Sequence, residues 1–134
     1  MSKLFYPAVF HPEDVGGYSV DFPDLLGCVT EGDTLAEAVK MAEDALGIYL
    51  YSLKEDKETV PAPSDPADIE TEGRDFVSLV EYDEIAYLKR TDNHAVKKTV
   101  TIPSWLDTIA RERNINFSNV LQNALRKELD VGLA

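Results

Sequence analysis

The chain has 134 residues, 44% of them hydrophobic and 28% charged, which is the composition of a soluble globular protein with one domain or two small ones. Its formal net charge of -12 excludes nucleic-acid binding through the average field of the molecule. The sequence contains no run of about 18 apolar residues, so no membrane span is predicted. The first residues lack signal-peptide features. The single cysteine, Cys28, excludes an internal disulfide and favours a reducing cytoplasm.

The charge is unevenly distributed along the chain. Residues 94–134 contain six basic and four acidic side chains, a balance of +2, which leaves -14 for residues 1–93. A locally basic module can bind nucleic acid inside an acidic protein, because the local field decides the contact. The distribution therefore predicts two domains with two different partners.

Three short segments at the start have strand composition. Residues 3–10, 18–22 and 28–32 are separated by turns that contain proline and glycine, so we expect an antiparallel meander. Pro7 predicts an edge position or a bend, because proline has no amide N–H to donate to a neighbouring strand.

A long amphipathic helix is predicted next. Thr34 and Glu37 have the spacing of a capping box, in which each side chain accepts a hydrogen bond from a free amide of the first turn. Nine apolar residues then recur at helical spacing: Leu35, Ala38, Val39, Ala42, Ala45, Leu46, Tyr49, Leu50 and Leu53. This helix laid across the strands gives a two-layer core, and we expect Gly47 to permit close packing.

The middle of the chain is predicted to be an exposed acidic loop over residues 54–74, followed by a fourth strand at 76–82. The order is thus β-β-β-α-β. The segment 84–94 is short and mixed in charge, so its structure stays ambiguous and the domain boundary is placed within it. We expect one domain over 1–88 and another over 94–134.

The second domain begins with a predicted strand, "AVKKTVTIP", at residues 95–103. One face of this strand carries Lys98, Val100 and Ile102, and the other carries Lys97, Thr99 and Thr101. A helix with Ser104 as its candidate N-cap follows, and Asn116 is a natural N-cap for a second helix. One strand and two helices in about forty residues cannot bury their own apolar surface, so we expect two copies to dimerise.

The pattern "KKTVTIP…NINFSNVLQNAL" closely resembles the ribbon-helix-helix arrangement, in which paired strands of two copies enter the major groove of DNA. The resemblance implies that Lys97, Thr99 and Thr101 face the bases. It also implies that the second helix binds a phosphate at its start, which holds Asn116, Phe117 and Ser118. An ordinary edge strand with these side chains in water remains the alternative. Two-fold symmetry predicts an operator that is an inverted repeat.

Both halves together resemble the HicB antitoxins of bacterial type II toxin–antitoxin pairs. The resemblance rests on "YPAVFHPEDVGGYSVDFPDLLGCVTEGDTLAEAVKMAEDAL" and "DNHAVKKTVTIPSWLDTIARERNINFSNVLQNAL". It implies a truncated RNase H-like first domain without nuclease activity and a cytoplasmic bacterial protein. It also implies two partners, a small basic RNA-cleaving HicA toxin and the operator of a shared operon. A homodimer is expected, and a tetramer is a further assembly that the pattern allows.

The toxin-binding residues are nominated from one turn and one strand residue: Tyr18, Asp21, Phe22, Pro23, Asp24 and Leu25. This turn combines charge with apolar surface, and aromatic anchors such as Tyr18 or Phe22 are the side chains that give interfaces their affinity. The alternative is a solvated turn whose Phe22 and Leu25 lie in the core.

Two other classes of function are weighed against this one. An enzyme would need a carboxylate cluster, for which the candidates are Asp21, Asp24, Glu37, Glu43 and Asp44. Nothing in their spacing marks a constellation, and His11 and His94 lie in loop-like segments, so we expect neither catalysis nor a metal or cofactor. The other alternative is a free-standing repressor whose acidic domain senses a ligand or assembles the protein.

Overall fold

The computed structural model describes residues 3–131 and divides the chain into two units, one ending at Asp92 and one starting at Asn93. The elements of the first unit are β1 (Lys3–Pro12), β2 (Tyr18–Asp21), β3 (Val29–Gly32), α1 (Leu35–Glu55), β4 (Phe76–Asp83) and α2 (Glu84–Thr91). The second unit contains α3 (Ser104–Glu112) and α4 (Phe117–Leu129). The predicted α+β class and the β-β-β-α-β order are confirmed, and α2 is an additional helix.

The sheet of the first unit has the order β3-β2-β1-β4, and every neighbouring pair is antiparallel. The predicted meander of the first three strands is therefore confirmed. Pro7 lies in an interior strand, yet β2 pairs only with residues Val9 to Pro12 of β1. At Pro7 the strand has a partner on the β4 side alone, so the missing amide N–H interrupts no ladder on the other side.

The start of α1 is fixed by its predicted cap. The Thr34 hydroxyl accepts a hydrogen bond from the Glu37 amide at 3.1 Å, which satisfies one of the free donors of the first turn. The Glu37 carboxylate accepts from the Asp33 amide at 3.3 Å, one residue before the cap residue that a strict capping box would use.

The core of the first unit lies between the sheet and α1. The buried residues of α1 are Ala38, Ala42, Leu46, Gly47 and Leu50, and those of the strands include Tyr6, Phe10, Val20 and Val80. Ala45, Tyr49 and Leu53 pack partly buried against this core, as the helical spacing predicts. Leu35 and Val39 are exposed, so the predicted apolar stripe is wider than the buried one.

The ambiguous segment after β4 forms α2. Asp83 caps this helix by accepting a hydrogen bond from the Ala86 amide at 3.1 Å, and Tyr87 packs against the Tyr82 ring with 5.9 Å between ring centroids. A Cβ atom added to Gly47 would lie 2.6 Å from the Tyr87 ring, which confirms that Gly47 permits a close approach. Because α2 continues to Thr91, the first unit extends beyond residue 88.

The acidic loop starts at Asp56 instead of residue 54, because α1 runs to Glu55. The Lys54 ammonium pairs with Glu84, so α1 ends beside the end of β4. The loop must then carry the chain to the other end of the sheet, where β4 begins opposite Phe10. From there β4 runs back towards Lys3, antiparallel to β1. Two hydrogen bonds hold the returning loop, from the Tyr6 hydroxyl to the Pro61 carbonyl at 2.6 Å and from the Ser64 amide to Asp24 at 2.9 Å.

In the second unit, α4 has the predicted cap and α3 does not. The Asn116 side chain accepts a hydrogen bond from the Asn119 amide at 3.0 Å. Helix α3 begins at Ser104 itself, with Pro103 in the cap position and no side-chain hydrogen bond. Residues 92–103, all within the described range, form no hydrogen-bonded strand inside the single chain. A ribbon strand needs a second copy for its partner, so the predicted strand stays a prediction.

We expect Gly32→Ala to destabilise the first unit by about 3 kcal/mol, as overpacking of a tight contact does. A Cβ atom at Gly32 would lie 2.5 Å from the Ala38 amide nitrogen and 2.7 Å from the Ala38 Cα, so α1 would have to move off β3. Chemical denaturation of the full chain, followed by hydrogen exchange at β3 and α1 amides, measures the change.

Gly73→Ala is the matched control for this substitution. A Cβ at Gly73 meets no atom within 4 Å, although its φ is +59°, so only the left-handed backbone costs free energy, about 1 kcal/mol. Equal losses for the two variants would show that the approach of β3 to α1 does not limit stability.

Candidate binding surfaces

The residues predicted to contact DNA bases all lie on the surface of the second unit. Lys97, Thr99 and Thr101 are exposed, in the segment that precedes α3. At the start of α4, Asn116 caps the helix, Phe117 is exposed, and the Ser118 hydroxyl accepts a hydrogen bond from the Gln122 side-chain Nε2 at 2.8 Å. The structure thus brings Asn116, Phe117 and Ser118 together at one helix N-terminus, where free amides and the helix dipole favour an anion.

The second unit has no core of its own within the described residues. None of residues 93–131 is buried, and its large exposed apolar side chains are Val96, Val100, Ile102, Trp105, Leu106, Ile109, Ile115, Phe117, Val120, Leu125 and Leu129. A large exposed apolar surface is uncommon on monomeric soluble proteins. Forty residues without a buried side chain cannot offset the conformational entropy of folding, so this surface needs a partner.

The turn nominated for toxin binding folds back on itself between β2 and β3. The Leu25 amide donates to the Phe22 carbonyl at 3.0 Å, and the Cys28 amide donates to the Leu25 carbonyl at 3.0 Å. These bonds turn Phe22 and Leu25 inward, where only 3% and 1% of their surfaces are exposed. Of the two alternatives for this turn, the structure therefore has the one in which both side chains belong to the core.

The surface of this turn is formed by Pro23, Leu26 and Gly27, which are exposed. Asp24 is partly buried and accepts hydrogen bonds from Ser64. Tyr18 packs partly buried against the core, with its ring edge-on to Phe76 at 6.4 Å between centroids. Neither Tyr18 nor Phe22 is a projecting aromatic anchor in this structure.

A cluster that the sequence did not reveal joins Asp21 to the acidic loop. His11 lies between two carboxylates, with its Nε2 at 2.5 Å from Asp21 and its Nδ1 at 2.7 Å from Asp75. A neutral imidazole can donate only one hydrogen bond, whereas the imidazolium donates two, so the protonated ring fits this geometry. The hydrogen bond to Asp21 raises the pKa of His11, which burial lowers and Asp75 raises further.

No sequence signal marks the His11 cluster, because Asp75 is 64 residues away. The cluster ties β1 to β2 and to the end of the loop that precedes β4. His11 was expected in a loop-like segment, and the structure places it in β1.

The carboxylates weighed for catalysis are dispersed. Asp21 bonds His11, Asp24 bonds Ser64, Glu37 caps α1, and Asp44 pairs with Arg90 at 3.0 Å. Among the residues that the structure describes, no group of three or more His, Cys, Asp or Glu is arranged to hold a metal ion. Four of the five carboxylates thus have a structural partner.

Cys28 is an interior residue. It is buried, and its Sγ lies 3.7 Å from the Ala45 carbonyl oxygen. Burial raises the pKa of the Cys28 thiol to about 11, so the thiol is protonated at neutral pH and is a poor nucleophile.

The fold and surfaces define an acidic α+β protein with a second, helical unit that lacks its own core. A family described as the HicB-like antitoxins of bacterial toxin–antitoxin systems matches residues 6–125. The chain therefore belongs to this family.

Relatives and solved structures agree with this membership. Antitoxin HicB 1 of Photorhabdus laumondii is 39% identical over 79 residues, which cover 59% of this chain and 47% of that protein. The chain spans about half the length of the curated relatives it matches. A chain of a toxin–antitoxin complex from Streptococcus pneumoniae is similar with a TM-score of 0.61 at 30% identity, covering 95% of this chain and 99% of that one.

A chain from a complex of HicA3 and HicB3 is also similar, with a TM-score of 0.51 at 29% identity. It covers 60% of this chain and 99% of that one. Several relatives are named antitoxins, which are regulatory proteins, and this supports the prediction that the chain is not an enzyme. Within residues 3–131, no helix has the length and apolar character needed to cross a membrane.

We expect His11→Gln to lower the free energy of local unfolding where β1, β2 and the loop meet by about 1 kcal/mol. This value is smaller than that of a buried charged hydrogen bond because the site is partly exposed. The effect depends on pH. Because the pKa of His11 is raised in the folded protein, its contribution is present below the unfolded pKa of about 6.5 and is lost as pH rises through the folded pKa.

Hydrogen exchange of β1 and β2 amides at about pH 6 and about pH 9 measures this contribution. The difference in amide protection between wild type and His11→Gln should be smaller at the higher pH. The amide of Trp105, the only tryptophan, lies in the second unit. Its hydrogen exchange is an internal control, because it should not change with the His11→Gln substitution. A difference that is the same at both pH values would contradict a protonated His11.

Proposed function

We propose that this chain is the antitoxin of a type II toxin–antitoxin pair. Its first unit binds and neutralises a small, basic, mRNA-cleaving HicA-type toxin, and its second unit dimerises and binds operator DNA to repress the operon. The observation that carries the proposal is the likeness to chains of two toxin–antitoxin complexes, one covering 95% of this chain. Residues 93–134 form less than a third of the chain, so the likeness that covers 60% includes part of the first unit.

The charge of the first unit supports a basic partner. Residues 1–93 carry -14 of the formal charge, and an RNA-cleaving protein must be basic to hold phosphates. Opposite fields steer two proteins together and raise the association rate, while affinity comes from buried contacts. An acidic antitoxin would thus compete with RNA for the same basic surface.

The first unit is proposed to be a truncated RNase H-like fold. The β1–β2–β3–α1 succession and the sheet order support this proposal. The fourth strand is added to β1 in the antiparallel sense, because the long loop carries the chain back along the sheet. The dispersed carboxylates described above agree with a fold of this kind that has no nuclease activity.

The second unit is proposed to be a ribbon-helix-helix module that forms a homodimer, with a tetramer as a further assembly. Two observations support it. The exposed apolar side chains of residues 96–129 would be covered by a second copy. The two helices α3 and α4 follow residues 95–103, whose sequence has the alternation expected of a strand. In such a dimer Lys97, Thr99 and Thr101 would contact bases of an inverted repeat in the major groove, and the start of α4 would bind a backbone phosphate.

Co-expression with a small basic protein encoded next to this chain tests the proposal. We expect the neighbour alone to arrest growth, and this chain to restore growth and to co-purify with the neighbour. A neighbour that is harmless, or that does not bind this chain, would reject the antitoxin function.

We expect Lys97→Ala and Thr99→Ala each to weaken operator binding about 10-fold or more, since a good base contact is worth about 1–3 kcal/mol. Growth rescue should be unchanged, because the two functions are assigned to different units. Titration of labelled operator DNA at fixed salt measures the affinity, because phosphate contacts make it depend strongly on salt.

Lys98→Ala is the matched control, since it removes the same charge from the opposite face of the predicted strand. It should weaken binding less than Lys97→Ala does. Loss of growth rescue in either base-contact variant would contradict the division of function between the units.

A further inference from the structure

An apolar groove lies along β3, at the edge of the sheet, and is bounded by one flank of α1. A cavity of about 510 Å³ is lined by Cys28, Val29, Ala45 and Ile48 among others. A neighbouring cavity of about 720 Å³ is lined by Val29, Glu31 and Met41 among others. Because Val29 lines both cavities, they adjoin, and we call the two together the β3 groove.

The apolar side chains of the β3 groove are unusually open to solvent. Val29 is 65% exposed and Ile48 is 59% exposed. Met41 and Ile48 are seven residues apart on α1, so they lie on the same side of the helix. An apolar patch that joins two elements and is rimmed by polar residues is characteristic of an interaction site.

The outer edge of β3 offers backbone hydrogen bonds as well. β3 is the last strand of the sheet and pairs with β2 alone. The Phe22 amide donates to the Cys28 carbonyl at 3.2 Å, and hydrogen-bonded pairs alternate along an antiparallel ladder. The N–H and C=O groups of Val29 and Glu31 therefore point away from β2, where an extended segment of a partner can pair with them.

Charge distinguishes the β3 groove from the other grooves of the first unit. The described residues lining it include four carboxylates, those of Asp21, Glu31, Asp56 and Glu58, and neither Lys nor Arg; the imidazolium of His11 is the one cation among them. The groove beside α2 contains Arg90, and the groove at the end of α1 contains Lys54 and Lys57. Among these grooves of the described residues, the β3 groove thus has the largest excess of carboxylates over cations, which suits a basic partner.

We propose that the β3 groove is the surface on which the basic toxin docks. The toxin would insert an apolar side chain between Val29 and Ile48 and place Lys or Arg side chains near the carboxylates of the rim. A second copy of this chain is a poor occupant, because two identical acidic rims would repel each other. This inference rests on the proposed antitoxin function and assigns its contact surface, which shares only Asp21 with the residues nominated from the sequence.

The test uses the full chain and the purified toxin from the neighbouring frame, with binding measured by calorimetry. Ile48→Arg and Val29→Arg each place a cation in the groove, and both sites are exposed, so the fold is retained. We expect each variant to bind at least about 10-fold more weakly than wild type, as loss of a central interface contact does. Circular dichroism verifies that the variants are folded.

Leu79→Arg is the matched control, because Leu79 is 51% exposed and lies on β4, at the opposite edge of the sheet. It should bind the toxin as wild type does. Ile48→Ala, which shortens the side chain without adding charge, separates the loss of apolar contact from electrostatic repulsion. It should also weaken binding, by less than Ile48→Arg.

Three outcomes would overturn the assignment. If wild type binds the toxin and both groove variants bind equally well, the docking surface lies elsewhere, while the antitoxin function stands. If the groove variants change only self-association in sedimentation, the occupant is a second copy. If wild type itself does not bind the toxin, the proposed function and this inference both fail.

Discussion

The close approach of β3 to α1 at Gly32 and Ala38 holds the first unit together. There is no space for even one carbon atom between the Gly32 Cα and the Ala38 backbone, and the next buried residue one turn along α1 is the small Ala42. Small residues let α1 lie close to the sheet. The large Tyr6 and Phe10 side chains of β1 then fill the core between the sheet and α1. The larger Met41 and Ile48 are exposed on the flank of α1 and line the apolar groove beside the edge strand β3.

The two units differ in whether they bury apolar side chains within a single chain. The first unit encloses aromatic and aliphatic side chains between a sheet and a helix, so it has the core that an independently folding unit needs. Residues 93–131 enclose none. In the proposed dimer their stability would come from association, and dimerisation would be a condition of folding for the second unit. The proposed DNA binding, which depends on two-fold symmetry, would thereby be coupled to the folded state of that unit.

Local signals predicted the elements that depend on local physics. The Thr34 cap, the Asn116 cap and the long apolar stripe of α1 were all readable from spacing, because each needs only residues a few positions apart. Helix α2 was not, because its eight residues are held by Tyr87 against Gly47, about forty positions earlier. The burial of Phe22 and the pairing of His11 with Asp75 were also inaccessible, since a turn's inward direction and a contact across 64 residues are set by tertiary structure.

Charge and apolar surface have separate roles in the proposed complex. A unit with a formal charge of -14 attracts a basic protein from beyond contact distance, but at physiological salt this field decays over about 8 Å. It therefore accelerates encounter without fixing an orientation. Orientation and lifetime need contacts that exclude water, and in the first unit the β3 groove combines exposed apolar side chains, outward backbone groups and an excess of carboxylates. The acidic surface brings the partner close, and the groove determines where it binds.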